Sequence, residues 1–488
     1  MTSTATRPGA SSAFGWSVLN TVLSRLGTLG IGIALARVLG PESFGTFAVA
    51  LVALMAVLSF NELGVSLAIV RWPGDPARIV PTVNTISVVS SGIFCALAIL
   101  AAPMFTEAVG DSGATDVIRI LTVSVFINGI VASPAALLQR NFQEKKRLGI
   151  DQVNVWVGAV LSLVLALTGM GAMALAVGRV TGSLISAAMF LKASPLPYRF
   201  GLDRTLVGPL LRFGLPLAGT SIIFFAVGYA DQLVTGSVLG TTALGFYLLA
   251  FNLANLPISI IAQPLRRVAP ASFSAVQHDP ARLNDALMSI VSVLGCTLLP
   301  TVAFLAVCGE PLVSLVYGQP WLPAVAALSP LFVASVCKVF CDLAYDYLVV
   351  LGKSGAVLVV QFVGLVALIP LLLAGGAWFG LAGVAAAQAA ITGFVILPLY
   401  LWRLSKSCVK VVSLFEVMLL PLTAAIATGA VAWTAASLIP GDLAALAVGG
   451  AIALIMTAGL LVKQGARIKE IRSIRQPVAS PQRSNHAS

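Results

Sequence analysis

The chain has 488 residues, of which 58% are hydrophobic and only 10% charged, and a mean hydropathy of +1.00. A soluble domain carries about 25% charged residues, so this composition excludes a protein built to dissolve in water. The net charge of +11 does not point to nucleic acid, because the basic residues fall in short connections and the C-terminal tail, with no aromatic-interleaved basic module among them.

A bilayer core about 30 Å thick is crossed by about 20 apolar residues in helical form. The polar stretch 1–13 reads as a cytoplasmic N-terminal tail. The apolar segment after it is too long for a signal sequence and lacks a clean cleavage site, so it is expected to stay as the first helix. Helices are predicted over residues 14–39, 44–70, 80–103, 117–138, 150–167 and 172–191. A basic linker at 193–205 separates them from six more, over 206–239, 242–268, 283–307, 323–351, 356–374 and 378–402. Two further helices fall within 413–463, and a basic tail expected to be disordered fills 464–488. The fold class is therefore an all-α integral membrane protein of about fourteen transmembrane helices, arranged as two parallel six-helix lobes, 14–192 and 206–402, plus two C-terminal helices.

Charge placement tests that count, because short cytoplasmic loops collect Lys and Arg. With the N-terminus inside, 24 of the 29 basic residues fall in the tails and inner connections. The outer connections hold acidic groups such as Glu107, Asp111 and Asp116. One miscounted helix would destroy this alternation, so both termini are expected in the cytoplasm of a bacterial cell. Trp16, Trp72, Trp378 and Trp402 lie near helix ends, as an interfacial belt would place them.

Two internal echoes support the lobes. VLGPESFGTFAVA from Val38 and VLGTTALGFYLLA from Val238 match at five of thirteen positions with a constant offset of 200. A looser pair is GAMALAVGRVTG from Gly171 and GLAGVAAAQAAITG from Gly380. An even number of helices per unit makes the repeat parallel, and transporters so built bind substrate between the halves.

The run LARVLGPESFGTFAVA from Leu35, with FNELGVSLAIVR from Phe60 and LLQRNFQEKKRLGIDQ from Leu137, resembles the polysaccharide transporter (oligosaccharide flippase, Wzx-like) family of the MOP exporter superfamily. The resemblance extends through the twelfth helix, including DQLVTGSVLG from Asp231. It implies alternating access between two six-helix lobes in a V-shaped arrangement, a polyprenyl-pyrophosphate-linked glycan as substrate, and other polysaccharide-assembly proteins as partners alongside the membrane lipids. It does not fix the sugar.

Charges within the helices are the candidate functional residues, since each costs at least about 2.5–3.5 kcal/mol to insert and faces a partner, the bundle interior or a wet cavity. They are Arg25, Glu62, Arg119, Arg179, Asp231, Lys338, Asp342 and Asp346. A pyrophosphate calls for guanidinium donors, which makes Arg25 and Arg179 head-group candidates, with Arg119 closer to a helix end. The competing account pairs these arginines with Glu62 or with backbone carbonyls. Lys338, Asp342 and Asp346 recur every four residues on one face, and an internal Lys338–Asp342 pair is the plainer reading. Asp231 needs either a partner on another helix or a coupling proton or sodium ion. Pro216, Pro257 and Pro264 fall inside predicted helices as kinks or hinges.

No metal or cofactor site is read from the sequence. The cysteines Cys95, Cys296, Cys308, Cys337, Cys341 and Cys408 lack paired spacing, and neither His278 nor His486 has ligating company. The leading reading is thus a non-enzymatic flippase or exporter of a lipid-linked oligosaccharide. A cation-coupled drug antiporter of the same superfamily is the main alternative. A membrane glycosyltransferase is disfavoured by short outer connections, and a scaffold would tolerate loss of every intramembrane charge.

Overall fold

The computed structural model describes residues 10–407, 409–439 and 441–465. Cys408, His486 and most of the two tails named above lie outside them. All regular structure among the described residues is helical: α1 (Ala10–Phe60), α2 (Ser66–Arg71), α3 (Val80–Val109), α4 (Ala114–Arg140), α5 (Glu144–Leu167), α6 (Ala172–Ala193), α7 (Arg204–Leu239), α8 (Thr241–Pro257), α9 (Gln263–Ala275), α10 (Pro280–Val307), α11 (Gly309–Tyr317), α12 (Val325–Val350), α13 (Ser354–Ala390), α14 (Leu397–Ser405), α15 (Val411–Leu438) and α16 (Asp442–Lys463). Twelve helical stretches are long and apolar enough to cross a membrane. Two of them are jointed, at Gly40 (φ 71°) and Gly380 (φ 59°), where the α-helix cannot continue. Each jointed stretch is two helices end to end, which is consistent with about fourteen helices in the predicted order, and the chain is a multi-pass membrane protein.

The structure departs from the predicted elements in three places. The second span is not one helix, because Asn61–Gly64 forms a tighter 3-10 turn in which Leu63 (φ 49°) and Gly64 (φ 67°) both take left-handed backbone. The eighth span runs on to Ala275 through a wider π-turn at Ile258–Ala262, directly after Pro257. The connection after α10 is not a bare loop: it holds α11 and a 3-10 turn, Gln319–Ala324, whose Trp321 is fully buried against Tyr317 and Phe246.

The internal repeat is written into the backbone. Gly40 and Gly240 share one conformation, φ 71° and 87° with ψ 175° and 174°. Gly171 and Gly380, which open the looser echo, share another, φ 56° and 59° with ψ −139° in both. Both lie in left-handed territory that only glycine enters cheaply. The other identities agree in environment too: Val38 and Val238 are 43% and 41% exposed, and Ala50 and Ala250 are completely buried. Leu39 and Leu239 are both half-buried, and the fifth matched pair, Gly45 and Gly245, forms a reciprocal contact. A Cβ on Gly45 would stand 2.1 Å from the Thr241 carbonyl oxygen, and one on Gly245 would stand 2.6 Å from the Pro41 carbonyl oxygen.

The chain divides into two compact units, Met1–Gly245 and Phe246–Ser488. In the first, α5 and α6 pack through small residues. A Cβ on Gly178 would meet Ser162 Oγ at 2.1 Å and the Gly158 carbonyl at 2.6 Å, and one on Gly182 would meet the Asn154 carbonyl at 2.5 Å. Such close backbone approach is how helices associate where lipid supplies no hydrophobic drive. Gly27 of α1 makes room for the Trp156 indole of α5 in the same way.

Two further devices tie the first unit together at its basic end. Arg140, at the end of α4, donates to the carbonyls of Ile69 (2.6 Å), Trp72 (2.8 Å) and Gly74 (3.0 Å), closing the end of α2. Hydrogen bonds to a charged donor contribute about 1.5–3 kcal/mol each, and removing three shared by one side chain is expected to cost about 3 kcal/mol. Arg140→Ala should therefore unfold at a clearly lower temperature in detergent, with Arg140→Lys in between. An unchanged midpoint for Arg140→Ala would refute the staple.

The second device is the interlobe linker, which is strapped to the start of α3. Asn84 donates to the Arg199 carbonyl (2.8 Å), Thr85 exchanges bonds with Gly201, and the Asp203 amide donates to Thr82 (3.1 Å). Asp203 in turn caps α7, and the bonds from the Thr205 hydroxyl and amide hold its carboxyl below the usual range.

In the second unit, α15 lies along α10 and α16 beside both. The helices on either side of the Gly380 joint approach through Gly375 and Gly383, each leaving no room for a Cβ on the other.

Candidate functional site

Membrane charges concentrate at one place in each unit. In the first, the α5 interface fixes the rotation of α6. Gly178 and Gly182 face α5, so Arg179, a further 100° round the helix, is turned off that interface and is exposed although it is only the eighth residue of a membrane span. Tyr229 of α7 interacts electrostatically with Arg179 and with Asp231. Its ring stacks on Phe225, one turn earlier, with centroids 5.1 Å apart. Asp231 itself is buried, 3% exposed, and its carboxylate accepts a bond from the Gln232 amide (2.8 Å), while Thr235 donates to the Asp231 carbonyl (2.6 Å). Arg179 thus stands near an aromatic pair and a buried acid on α7.

The other first-unit candidates are arranged differently. Arg119 pairs with Asp116 at 3.1 Å near the start of α4, and both side chains are largely exposed. The side chains of Arg25 and Glu62 lie outside the described residues, so what can be said of them rests on the sequence. Beside Glu62 stands a residue that the search for charges overlooked. Asn61 links three elements: it accepts from the Ser91 hydroxyl of α3 and donates to the Val125 carbonyl (3.3 Å) and to Asn128 (3.2 Å) of α4. An Asn and a Gly flanking the acid in FNELG were the available signal.

In the second unit, the carboxylates of α12 are held by Arg266. Its Nη1 donates to Asp342 at 2.9 Å, and its Nε and Nη2 both reach Asp346 at 3.3 Å. The spacing of four puts both aspartates on one face of α12, where a single guanidinium spans them. Lys338, one turn before, acts electrostatically on Asp342. The sequence pattern pointed to Lys338 as the partner on the same helix. The cation that bonds both acids instead comes from α9, at a position that the sequence reading counts among the inner basic residues although it lies within the predicted helix 242–268. Two carboxylates, one guanidinium and one ammonium sum to zero, which suits a cluster within the membrane span.

The chain has relatives among known proteins. The family model described as "Polysaccharide biosynthesis protein" matches residues 34–326, more than half of the chain. The succinoglycan biosynthesis transport protein ExoT of Rhizobium meliloti (strain 1021) is 27% identical over 351 residues, 70% of this chain and 69% of that protein. The lipopolysaccharide biosynthesis protein WzxC of Escherichia coli (strain K12) is 25% identical over 329 residues, 66% of each. The matches therefore span about two thirds of these relatives' lengths. Among solved structures, the lipid II flippase MurJ in an inward closed conformation superposes with a TM-score of 0.73 at 13% identity, over 93% of this chain and all of that one. An inward-facing multidrug resistance MATE family transporter of the MOP superfamily gives 0.62 at 18% identity, over 80% of this chain and 96% of that one. The structural likenesses establish a MurJ- and MATE-like fold, and the sequence match over residues 34–326 establishes that the chain belongs to the polysaccharide biosynthesis protein family.

Proposed function

We propose that this protein is a flippase or exporter that moves a lipid-linked oligosaccharide or polysaccharide precursor across a bacterial cytoplasmic membrane. It does so by alternating access, without covalent chemistry and with both termini in the cytoplasm. Family membership supports the glycan, and the likeness to ExoT, a succinoglycan biosynthesis transport protein, supports the movement. On this reading its partners are the polyprenyl-linked glycan, the surrounding lipids and other polysaccharide-assembly proteins.

The observation that carries the mechanism is the placement of Arg179, an exposed residue, within a membrane span. A cation there is costly, and a pyrophosphate that brings two negative charges and several acceptor oxygens relieves the cost while it is bound. Arg25 is the second head-group candidate on the same argument. Arg119, already paired with Asp116, is the weaker third. Asp231 and the cluster of Arg266, Lys338, Asp342 and Asp346 serve as ion-coupling or structural charges, and Glu62 belongs to the same class.

The test is made in cells lacking the protein, where the lipid-linked repeat unit should accumulate on the cytoplasmic leaflet until the wild-type chain is restored. Losing a charge-assisted contact worth about 1.5–3 kcal/mol is expected to slow transport by Arg179→Gln roughly tenfold to a hundredfold at normal membrane levels, while Arg119→Gln stays within about twofold. Full-rate transport by Arg179→Gln would remove the proposed head-group contact. Normal glycan output in the deletion strain, together with stabilisation by amphipathic cations, would favour the drug antiporter instead.

A further inference from the structure

The second unit contains an apolar cavity of about 180 Å³ between α10, α12, α14 and α15. All twelve residues that line it are apolar, among them Leu287, Phe340, Leu343, Leu404, Leu414 and Met418. Phe415, which also lines it, is 62% exposed, so the cavity opens sideways toward lipid. An apolar cavity of about 150 Å³ stays dry and takes up hydrocarbon. The depth of this one is set by its helices: Leu287 and Val291 lie seven and eleven residues beyond Pro280, where α10 begins. That is about 10–16 Å of helix, the depth of one leaflet of a core about 30 Å thick.

Cations crowd the basic mouth of this slot. Trp402, 47% exposed at the end of α14, carries Arg403 (4.6 Å) and Lys406 (3.8 Å) over its ring. Lys353, from the turn before α13, donates to Ser407 at 2.7 Å, and Ser407 donates to the Arg403 carbonyl. Lys410 stands at the start of α15, four residues before the cavity-lining Leu414. Glu416 is the one acidic residue between positions 403 and 422, and with Lys353 and the start of α10 (Asp279, Arg282 and Asp285) the mouth carries a net charge of about +2. Leu404, between Arg403 and Lys406 in sequence, lines the slot itself.

We infer that this slot is a binding site for an anionic phospholipid of the basic, cytoplasmic-side leaflet. One acyl chain lies between α10, α12, α14 and α15, and the phosphate rests against Lys353, Arg403, Lys406 and Lys410. Basic pockets between helices on that side of a membrane select anionic head groups. The slot is one leaflet deep, which fits a phospholipid chain and is too short for a polyprenyl chain. The exposed rim gives the entry route.

The full-length protein, purified and placed in nanodiscs of phosphatidylcholine alone or with one-fifth phosphatidylglycerol, tests the site by native mass spectrometry and thermal unfolding. The wild type should retain phosphatidylglycerol in preference to phosphatidylcholine and unfold at a higher temperature in its presence. Inorganic phosphate alone should give no such rise. At about 1 kcal/mol for each basic residue near an anionic surface, Arg403→Gln with Lys406→Gln should weaken phosphatidylglycerol retention on the order of tenfold. Lys145→Gln with Lys146→Gln, which removes as much charge from another basic loop, should not. Ala344→Phe, which fills the slot, should lower retention of both lipids. Equal retention of the two lipids by the wild type overturns the proposal, and so does unchanged preference after the Arg403 and Lys406 replacements. Displacement of phosphatidylglycerol by polyprenyl phosphate at equal concentration would reassign the slot to the transported lipid and overturn it as well.

Discussion

Arg266→Gln is expected to lower stability by about 3 kcal/mol, the low end of what breaking a buried ion pair costs. The low end applies because Arg266, Asp342 and Asp346 keep 28%, 30% and 14% of their side-chain exposure. The loss comes less from the missing bonds than from two carboxylates, one helical turn apart, left without the guanidinium that spans them. Charge rescue separates this account from simple loss of packing. Adding Asp342→Asn and Asp346→Asn to Arg266→Gln should recover most of the unfolding temperature, because the amides need no counter-charge. Arg266→Lys should recover only part, since an ammonium lacks the fork that reaches both acids. If the triple variant is no more stable than Arg266→Gln alone, the cluster is held by shape and not by charge.

The second large effect is expected at Gly45. Its missing Cβ would overlap the Thr241 carbonyl oxygen at 2.1 Å, and backbone has no rotamer with which to withdraw. Overpacking a tight contact costs about 1–3 kcal/mol where side chains can adjust, so Gly45→Val should exceed that range and reduce the folded yield in membranes. Gly245→Val should do the same through the Pro41 carbonyl. Gly30 and Gly32 serve as controls: they lie in α1 with nothing within 4 Å of an added Cβ, and alanine there is expected to be neutral or to stabilise by about 0.5–1 kcal/mol. Equal tolerance at Gly45 and Gly30 would mean that the reciprocal contact is not made in the membrane.

The membrane helices were legible because hydropathy reports burial in lipid directly, and the repeat was legible because Gly40 and Gly240 must both be glycine to adopt their shared conformation. The break at Asn61–Gly64 was hidden, since four residues, two of them polar, sit inside a long apolar run, and the left-handed backbone of Leu63 and Gly64 is what breaks the helix. The site was half legible. Scanning for charges inside predicted helices found Arg179, Asp231, Asp342 and Asp346, but it set Arg266 aside because, two residues from the end of its predicted helix, it counted among the inner basic residues. Asn61 was missed for the opposite reason: a neutral amide raises no alarm in a charge census, although it joins three elements. Which residues from different helices meet is a tertiary fact that no periodicity encodes.

The strap between the linker and the start of α3 bears on how the chain is made. Membrane helices enter the bilayer in the order of synthesis, and domains form as they emerge. Thr82, Asn84 and Thr85 are in place before residues 199–203 leave the ribosome. The linker therefore meets a finished dock, and α7 begins its insertion already held at its first residues. A slack tether would let the second half of the chain search for its position. This one holds the start of α7 in place, so a Thr82→Val, Asn84→Leu and Thr85→Val variant should insert all its helices and yet reach its compact, protease-resistant form more slowly.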